Sequence, residues 1–242
     1  MNFGRNVMKG LLHASRISNM PTILTNALVV CSFSLGFDAW NTWVYVICAI
    51  MGFCFYLAGM WGNDLSDFHW DSRYKPSRPL PEKLISPSFL LFLMVVVGTV
   101  GSLFYLYFSW SQMLPLLVLW ASIVLYNQFH KYWSVSPLLM GACRGAWVWC
   151  AATLVSMWKD LPISFDLYSY MISLGVYTAL LTTIARRELH SPKAHLWVKR
   201  LLGGMCVFDA IWLIGVNWFF ALIAIVCWCI SFYLQKMGMR ST

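Results

Sequence analysis

The chain has 242 residues, of which 60% are hydrophobic and only 11% are charged, and its mean hydropathy is +0.67. Charged residues make up about a quarter of a soluble domain, so the composition excludes an ordinary soluble protein and indicates an integral membrane protein. The net charge of +8 comes from basic residues that border apolar segments, which argues against nucleic-acid binding.

Apolar segments of membrane-spanning length recur along the whole chain. About 20 apolar residues in a helix cross the roughly 30 Å hydrocarbon layer. The sequence therefore predicts one all-α domain over residues 1–242, a polytopic bundle of about eight transmembrane helices, within a range of eight to nine. We expect no removable signal peptide. The predicted spans lie near residues 20–37, 43–62, 88–109, 112–128, 135–155, 165–184, 197–215 and 217–235.

The basic residues predict the orientation of these spans. Lys and Arg in short loops are retained on the cytoplasmic side of a membrane. With the N-terminus inside, 16 of the 17 basic residues fall on that side, and only Lys159 falls on the other. We therefore expect a multi-pass protein with both termini cytoplasmic, in the cell inner membrane if the protein is bacterial.

The segment GNDLSDFHWD, residues 62–71, places three aspartates directly after the second predicted span. If the helix continues, Asp64, Asp67 and Asp71 share one face at i, i+3 and i+7, with Asn63 one turn from Asp67. Like charges on one face repel, and partial burial adds a desolvation cost, so a cation is expected there. Carboxylate and amide oxygens suit Mg²⁺, which completes its shell with water and phosphate oxygens.

Two other interpretations of this acidic segment are weaker. A solvated helix end is disfavoured, because negative charge at a helix C-terminus opposes the helix dipole. A calcium site is conceivable, but the segment lacks the glycine and closing glutamate of a twelve-residue calcium loop. The pattern therefore favours a magnesium site that binds a phosphorylated substrate.

Two segments of the chain resemble a known family. NDLSDFHWDSRYKPSRPLP, residues 63–81, resembles the N-D-x-x-D-x-x-x-D signature and following Arg-Pro pair of the UbiA superfamily of intramembrane prenyltransferases. SRISNMPTILTN, residues 15–26, is similar to the opening of that family, a basic residue shortly before a proline that begins the first span. The resemblance implies a helical bundle, usually of nine spans, with a central cavity under cytoplasmic loops.

The resemblance also implies an activity. Family members use Mg²⁺ to bind a polyprenyl diphosphate and transfer its prenyl group to a lipid-soluble, commonly aromatic, acceptor within the membrane. By residue-to-residue match, the magnesium ligands and catalytic carboxylates are Asp64, Asp67 and Asp71, with Asn63 as a further metal ligand. Arg78 matches the arginine of the Arg-Pro pair and is expected to bind the diphosphate.

Two parts of the chain depart from the family pattern. The second acidic motif should fall within residues 183–195, where Glu188 is the only acidic residue and Arg186 and Arg187 offer positive charge to phosphate oxygens instead. LYNQFHKYWSVSP, residues 125–137, resembles the family's Tyr-x-x-x-Lys segment, but His130 replaces the lysine and Lys131 follows it. These features resemble the UbiA-like branch associated with ebo gene clusters.

Further polar residues lie inside predicted spans, where charge is costly. Arg144 is a candidate for binding diphosphate, or its side chain snorkels to the inner surface. Asp209 is a candidate functional acid, but a hydrogen-bonded acid that fixes helix packing is favoured. The expected residues of the substrate cavity are Arg16, Asn26, Tyr126 and Glu188, and the eight cysteines are expected to pack as small apolar residues.

The sequence therefore predicts a Mg²⁺-dependent membrane prenyltransferase. A second enzymatic hypothesis keeps the ionisation of the prenyl diphosphate but has the same chain capture the carbocation, which gives terpene cyclisation. A third hypothesis is a non-catalytic binder or carrier of a prenyl lipid, and it rests on the missing second acidic motif.

Overall fold

The computed structural model describes residues 2–36, 43–187 and 192–237, and all regular structure in these ranges is helical. A short 3₁₀ helix, Ile17–Asn19, precedes the first long helix. The α-helices of the described ranges are α1 (Asn2–Ala14), α2 (Pro21–Leu35), α3 (Trp43–Ser66), α4 (Phe68–Tyr74), α5 (Pro87–Ser109), α6 (Leu114–Phe129), α7 (Ser136–Lys159), α8 (Phe165–Ala185), α9 (Pro192–Ile214) and α10 (Trp218–Lys236).

Each of the eight predicted spans corresponds to a long helix, namely α2, α3 and α5 to α10. In the described ranges six of these are long and apolar enough to cross a membrane, α2 together with the 3₁₀ turn, α3, α5, α7, α8 and α10. The apolar helix α6 is shorter, with 16 residues, and α9 contains Lys199, Arg200 and Asp209. The predicted all-α polytopic fold is therefore confirmed.

Local sequence signals explain where several helices begin. A proline stands in the first turn of α2, α5, α6 and α7, where its missing N–H costs no intrahelical hydrogen bond. The side chains of Ser86 and Ser164 each accept a 3.3 Å hydrogen bond from a backbone N–H of α5 and α8. Asn217 caps α10 in the same way, with a distance of 2.9 Å to the backbone nitrogen of Phe219. These caps fix the ends of the spans.

Helix α2 occupies the centre of the bundle and contacts α3, α7, α8, α9 and α10. Its residues 25–32 are buried throughout, which explains why this helix lacks a polar face. Because consecutive spans alternate in direction, α2, α5 and α7 begin at the end of the bundle where α3, α6 and α8 finish. We call this end, formed by residues 15–21, 64–87 and 126–137, the motif end.

Helices α7 and α8 approach each other closely at a pair of glycines. A Cβ atom added to Gly141 would lie 2.4 Å from the backbone oxygen of Gly175, a distance that no real side chain tolerates. One turn along the same helix, a Cβ on Gly145 would lie 3.5 Å from its nearest neighbour, an ordinary contact. Gly141 therefore sets the separation of α7 and α8.

We expect Gly141→Ala to lower the free energy of unfolding by about 1–3 kcal/mol, because the new methyl group forces the two helices apart. Gly145→Ala is the matched control and should be neutral or slightly stabilising, since alanine favours a helix more than glycine does. Thermal unfolding of the two purified variants in detergent measures the difference. Equal stability of the two variants would contradict the close contact.

Candidate functional site

The acidic segment occupies a break between two helices. Helix α3 ends at Ser66 and α4 begins at Phe68, while Asp67 between them has φ −86° and ψ −6°. Helical backbone bonds continue across the break, from Asp67 N to Asn63 O at 2.9 Å and from Asp71 N to Asp67 O at 2.8 Å. The prediction of one uninterrupted helix through Asp71 is therefore wrong only at Asp67. The carboxylate of Asp67 contacts His130 and Lys131, which follow α6.

Asp64 forms a buried ion pair with two arginines. Its Oδ1 atom lies 2.9 Å from Nη2 of Arg16 and 3.2 Å from Nη1 of Arg78. Burial and the charge of Arg16 lower the pKa of Arg78, although Asp64 opposes this shift. Arg16 has the left-handed backbone conformation φ 42°, ψ 56°, and its Nη1 contacts Met60 Sδ at 2.7 Å. Asp64 thus joins the start of α2 to the loop after α4.

Asp67 forms a second ion-paired group with α6. Its Oδ1 lies 2.5 Å from Lys131 Nζ, and its Oδ2 lies 3.4 Å from His130 Nε2. Burial would raise the pKa of Asp67, but the hydrogen bonds with His130 and Lys131 outweigh burial and lower it. The ring of Tyr126 stacks on His130, and Lys131 also lies 4.5 Å from the ring centroid of Trp70.

Asp71 differs from the other two carboxylates because no cation compensates it directly. It is 2% exposed, and no described cationic side chain forms an ion pair with it. Burial raises the pKa of Asp71, the charges of Asp67 and Asp64 raise it further, and Arg78 opposes the shift. A buried carboxylate without a partner is costly, so Asp71 gains most from an added cation. Asn63, 8% exposed, lies on the same segment.

The carboxylates do not converge on one point as the sequence predicts. No three His, Cys, Asp or Glu side chains in the described ranges lie close enough to hold a metal ion among them. Mg²⁺ commonly takes only one or two protein carboxylates and completes its shell with water and phosphate oxygens. Both arginine contacts of Asp64 use the same oxygen, Oδ1. The residues present therefore fit an ion that takes one or two of these carboxylates and completes its coordination with other oxygen atoms.

A cavity lies directly beside this cluster, between α2, α3, α6 and α7. It is partly open, and its volume together with the open space at its mouth is about 610 Å³. Its walls are mostly apolar and aromatic, which confirms the expected central cavity. Tyr56 in its wall donates a 3.1 Å hydrogen bond to the backbone oxygen of Arg16, so the cavity and the acidic cluster share a boundary. The lining residues are Ile23, Gly52, Phe55, Tyr56, Gly59, Met60, Leu119, Ile123, Tyr126, Asn127, Met140, Cys143, Arg144 and Trp147.

Deeper in the bundle a polar network connects Arg144 to Asp209. Arg144 donates to Asn26 Oδ1 at 3.1 Å and to Thr22 Oγ1 at 3.3 Å, so its side chain lies against α2 and does not snorkel to the surface. Asp209 is completely buried and accepts hydrogen bonds from Thr25, Asn26 and Tyr170. The interpretation of Asp209 as a hydrogen-bonded acid between helices is confirmed.

The remaining basic candidates lie away from the acidic residues. Arg186 donates through Nη1 to the backbone oxygen of Trp133 at 2.7 Å and to Ser136 Oγ at 3.0 Å, so it holds the loop that follows Lys131. Arg187 is exposed at the end of α8. Glu188 lies outside the described residues. The structure thus brings Arg186 near the site indirectly, through the loop between α6 and α7.

Several site residues were missed by the sequence interpretation. Tyr56 and Met60 precede Asp64 by eight and four residues, a helical spacing that places them on its face of α3 and would have identified them. Trp70 follows Asp67 by three residues, so helical spacing also places Trp70 next to Asp67 and would have identified it. No sequence signal identifies Tyr170, because its role depends on the packing of α8 against α2 and α9.

A comparison with family models shows to which family this protein belongs. The model of the UbiA prenyltransferase family matches residues 23–241, which include the acidic segment and the cavity. The chain belongs to the UbiA prenyltransferase family. It is accordingly an integral membrane protein with the helical fold of UbiA proteins, and membrane prenyl transfer is the activity that the family suggests. Searches of curated proteins and of solved structures find no significant match.

The two ion-paired groups should differ in their contribution to stability. Asp64→Asn leaves two largely buried guanidinium groups without a carboxylate, and we expect a loss of about 3 kcal/mol in the free energy of unfolding. Asp67→Asn removes a more exposed pair and should cost about 1 kcal/mol.

Equilibrium unfolding in detergent measures both effects, with Glu82→Gln at an exposed position as the control. A loss for Asp67→Asn that equals or exceeds the loss for Asp64→Asn would overturn this ranking of the two groups.

Proposed function

We propose that this UbiA-family protein transfers a prenyl group from a polyprenyl diphosphate to a lipid-soluble, aromatic acceptor within the membrane. The observation that carries the proposal is the position of the acidic and basic cluster, at the boundary of an apolar cavity inside the bundle. A prenyl diphosphate has the same two parts, a highly charged head and a long apolar tail. The cluster supports binding of the head, and the cavity supports binding of the first part of the tail.

The acidic and the basic residues stabilise the leaving group in different ways. Cleavage of the bond between the allylic carbon and the diphosphate leaves a carbocation and additional negative charge on the diphosphate. Mg²⁺, when bound, neutralises part of that charge. In our proposal Asp71 holds this ion together with one neighbouring side-chain oxygen, from Asn63, Asp64 or Asp67, and Arg78 and Lys131 donate to the diphosphate oxygens.

The cations that pair with the carboxylates are available for this exchange. If Asp64 or Asp67 gave a carboxylate oxygen to a divalent ion, Arg78 or Lys131 would be free to contact phosphate. Arg186 and Arg187 supply further positive charge near the loop between α6 and α7. In this scheme the site remains close to neutral both before and after the substrate binds.

The cavity is suited to the reactive carbon. Its apolar walls exclude water, which would otherwise capture the carbocation. The aromatic faces of Phe55, Tyr56, Tyr126 and Trp147 line the cavity, and each such face stabilises a nearby cation by about 0.5–2 kcal/mol. Capture by an acceptor completes prenyl transfer, whereas capture by the same prenyl chain gives a cyclic terpene.

A carrier function is the second candidate, and one observation favours it. Asp64 and Asp67 are already neutralised by side chains of the chain itself. A protein that binds and releases a prenyl diphosphate without cleaving it requires no further metal site. Cleavage is therefore the event that separates the enzyme from the carrier.

We expect Asp71→Asn to lower the rate of pyrophosphate release from a prenyl diphosphate at least about 100-fold, because it weakens the site of the ion that stabilises the leaving group, and loss of one such stabilising group typically costs that much. The same change should leave the melting temperature close to that of the wild type, since Asp71 forms no ion pair with a described residue. The assay measures pyrophosphate over prenyl diphosphates of several chain lengths, followed by mass analysis of the organic products.

The controls for this assay distinguish the three candidate functions. Glu82→Gln should keep full activity, and removal of divalent ions with a chelator should abolish release until Mg²⁺ is restored. Cyclic products without an added acceptor would identify a terpene cyclase. Binding of the diphosphate, with or without Mg²⁺, but without any release of pyrophosphate would identify a carrier and reject both enzymes.

We also propose that the motif end faces the cytoplasm, because 16 of the 17 basic residues fall on that side of the predicted topology. In a variant without the eight native cysteines, a cysteine placed at exposed Ser72 should react with a membrane-impermeant maleimide in inside-out vesicles only. A cysteine at exposed Leu161, between α7 and α8, should react in right-side-out vesicles only. The opposite labelling pattern would show that the motif end faces away from the cytoplasm.

A further inference from the structure

Helix α1 has an apolar strip that the described residues of the bundle do not cover. Met8 and Leu12 lie one helical turn apart and therefore share a face of α1. Met8 is 59% exposed and Leu12 is 38% exposed. On another face of the same helix, Gly10 and Ala14 are buried. The bundle therefore covers only part of the apolar surface of α1.

The buried face of α1 packs against the loop that precedes α5. A Cβ atom added to Gly10 would lie 2.7 Å from Ile85 Cγ1 and 2.9 Å from Leu84 Cβ, so the helix and the loop approach each other closely. Leu84 and Ile85 also pack in the hydrophobic cluster that contains Ala14 and Trp61. These contacts fix α1 against the loop.

The position of this loop sets the depth of α1 relative to the membrane. Ser86, which follows Ile85, caps α5. Helix α5 has 23 residues and is therefore about 34 Å long, close to the roughly 30 Å thickness of the hydrocarbon layer. Phe89 and Phe92 in its first two turns are exposed, as expected for a surface that contacts lipid. The loop before α5 therefore lies at the level of the lipid headgroups, and so does α1.

Charged side chains flank the contact between α1 and the loop. Lys9 and Lys83 each neighbour a residue of this contact, and both are exposed. Lys83 has a left-handed backbone with φ 59°, a conformation that is strained for lysine and can mark a functional position. Glu82, also exposed, carries the opposite charge. The two lysines and this glutamate together give the surface a charge of +1, which is complementary to anions.

We propose that α1 is an interfacial helix that binds the anionic headgroups of the surrounding bilayer. Lys9 and Lys83 contact lipid phosphates, and Met8 and Leu12 insert between the acyl chains. Amphipathic helices with basic residues beside an apolar strip bind membranes in this way. The cytoplasmic leaflet, which the motif end faces in our proposed orientation, is rich in anionic lipid.

This attachment also connects the bilayer surface to the acidic segment. Ser15, the residue after α1, accepts a 3.3 Å hydrogen bond from Trp61 Nε1. The next residue, Arg16, forms the 2.9 Å ion pair with Asp64. A helix anchored at the headgroups therefore holds Arg16 beside Asp64 from outside the bundle. The lipid contact itself does not depend on prenyl transfer.

The test measures which lipid lies next to α1. A fluorophore is attached to Met8→Cys in the full-length protein without its eight native cysteines. The nanodiscs contain equal amounts of phosphatidylcholine and phosphatidylglycerol, and either the first or the second lipid carries bromine on its acyl chains. Bromine quenches a fluorophore that contacts those chains. We expect both lipids to quench, and phosphatidylglycerol to be enriched about fivefold beside the label, as expected for a net charge of +1.

Charge variants of the labelled protein identify the residues responsible. Lys9→Gln combined with Lys83→Gln should abolish the enrichment, whereas phosphatidylcholine should still quench because the apolar strip remains. Glu82→Gln should increase the enrichment, because it removes the opposing charge. Lys159→Gln changes a lysine at the other end of the bundle and is the matched control, with no expected effect. Added salt should lower the enrichment by screening these charges.

Backbone hydrogen exchange tests the same surface in the unlabelled protein with its native cysteines. The amides of α1 should exchange about fivefold more slowly in nanodiscs that contain phosphatidylglycerol than in phosphatidylcholine alone, because bound lipid suppresses opening of the helix. The double lysine variant should lose this difference. Thermal unfolding of each variant monitors the fold.

Three results of the quenching experiment overturn the proposal: no quenching by either lipid, equal quenching by the two lipids in the parent labelled protein, or enrichment that survives in the double lysine variant. Equal exchange of α1 in both kinds of nanodisc overturns it independently of the label. Neither measurement involves a prenyl diphosphate. Failure here therefore leaves the proposed function standing, and absence of pyrophosphate release leaves the lipid contact standing.

Discussion

Charge compensation beside a hydrocarbon layer is the constraint on which the motif end depends. Ionised carboxylates in a low-dielectric environment are costly unless cations and hydrogen-bond donors surround them. The cations of Asp64 come from the residue before the 3₁₀ helix and from the loop after α4, and those of Asp67 come from the two residues that follow α6. These ion pairs therefore connect segments distant in sequence. Among the described residues, the carboxylate of Asp71 has no such ion-pair partner.

The same constraint explains the polar network in the interior of the bundle. Arg144 and Asp209 belong to different helices, and Asn26 of the central helix α2 connects them by hydrogen bonds. Apolar side chains form most of the remaining cavity wall. The protein thus combines two polar regions, one at the motif end and one deeper inside, with an apolar space between them.

The helices were predictable from the sequence because the bilayer imposes one simple rule, a long apolar segment for each crossing. All eight predicted segments correspond to helices, although α9 carries four charged residues within its length. The acidic segment was also predictable, since the helical spacing of its aspartates is a local property. The break at Asp67 was not, because it coincides with contacts to α6 that lie more than 60 residues away in sequence.

The sequence could not predict which residues pair across the bundle, because these pairs also join segments that lie far apart in sequence. The pairing of Arg16 with Asp64 and of Asn26 with Asp209 depends on how α2 packs against α3 and α9. The sequence indicated that Arg144 and Asp209 were unusual, because charge in a span is costly, but it did not indicate what they contact. It also placed Arg186 at the diphosphate, whereas its contacts in the structure are with the loop between α6 and α7.

The central claim is that a divalent ion joins the acidic segment to the diphosphate of a prenyl substrate. Electron–nuclear double resonance of Mn²⁺ bound to the purified protein, with a non-cleavable thio analogue of a prenyl diphosphate, tests this claim directly. The account predicts strong phosphorus-31 couplings to the bound Mn²⁺ in the wild type and their loss in Asp71→Asn. Binding of the analogue without any coupled Mn²⁺, or equal couplings in Asp71→Asn, would contradict it.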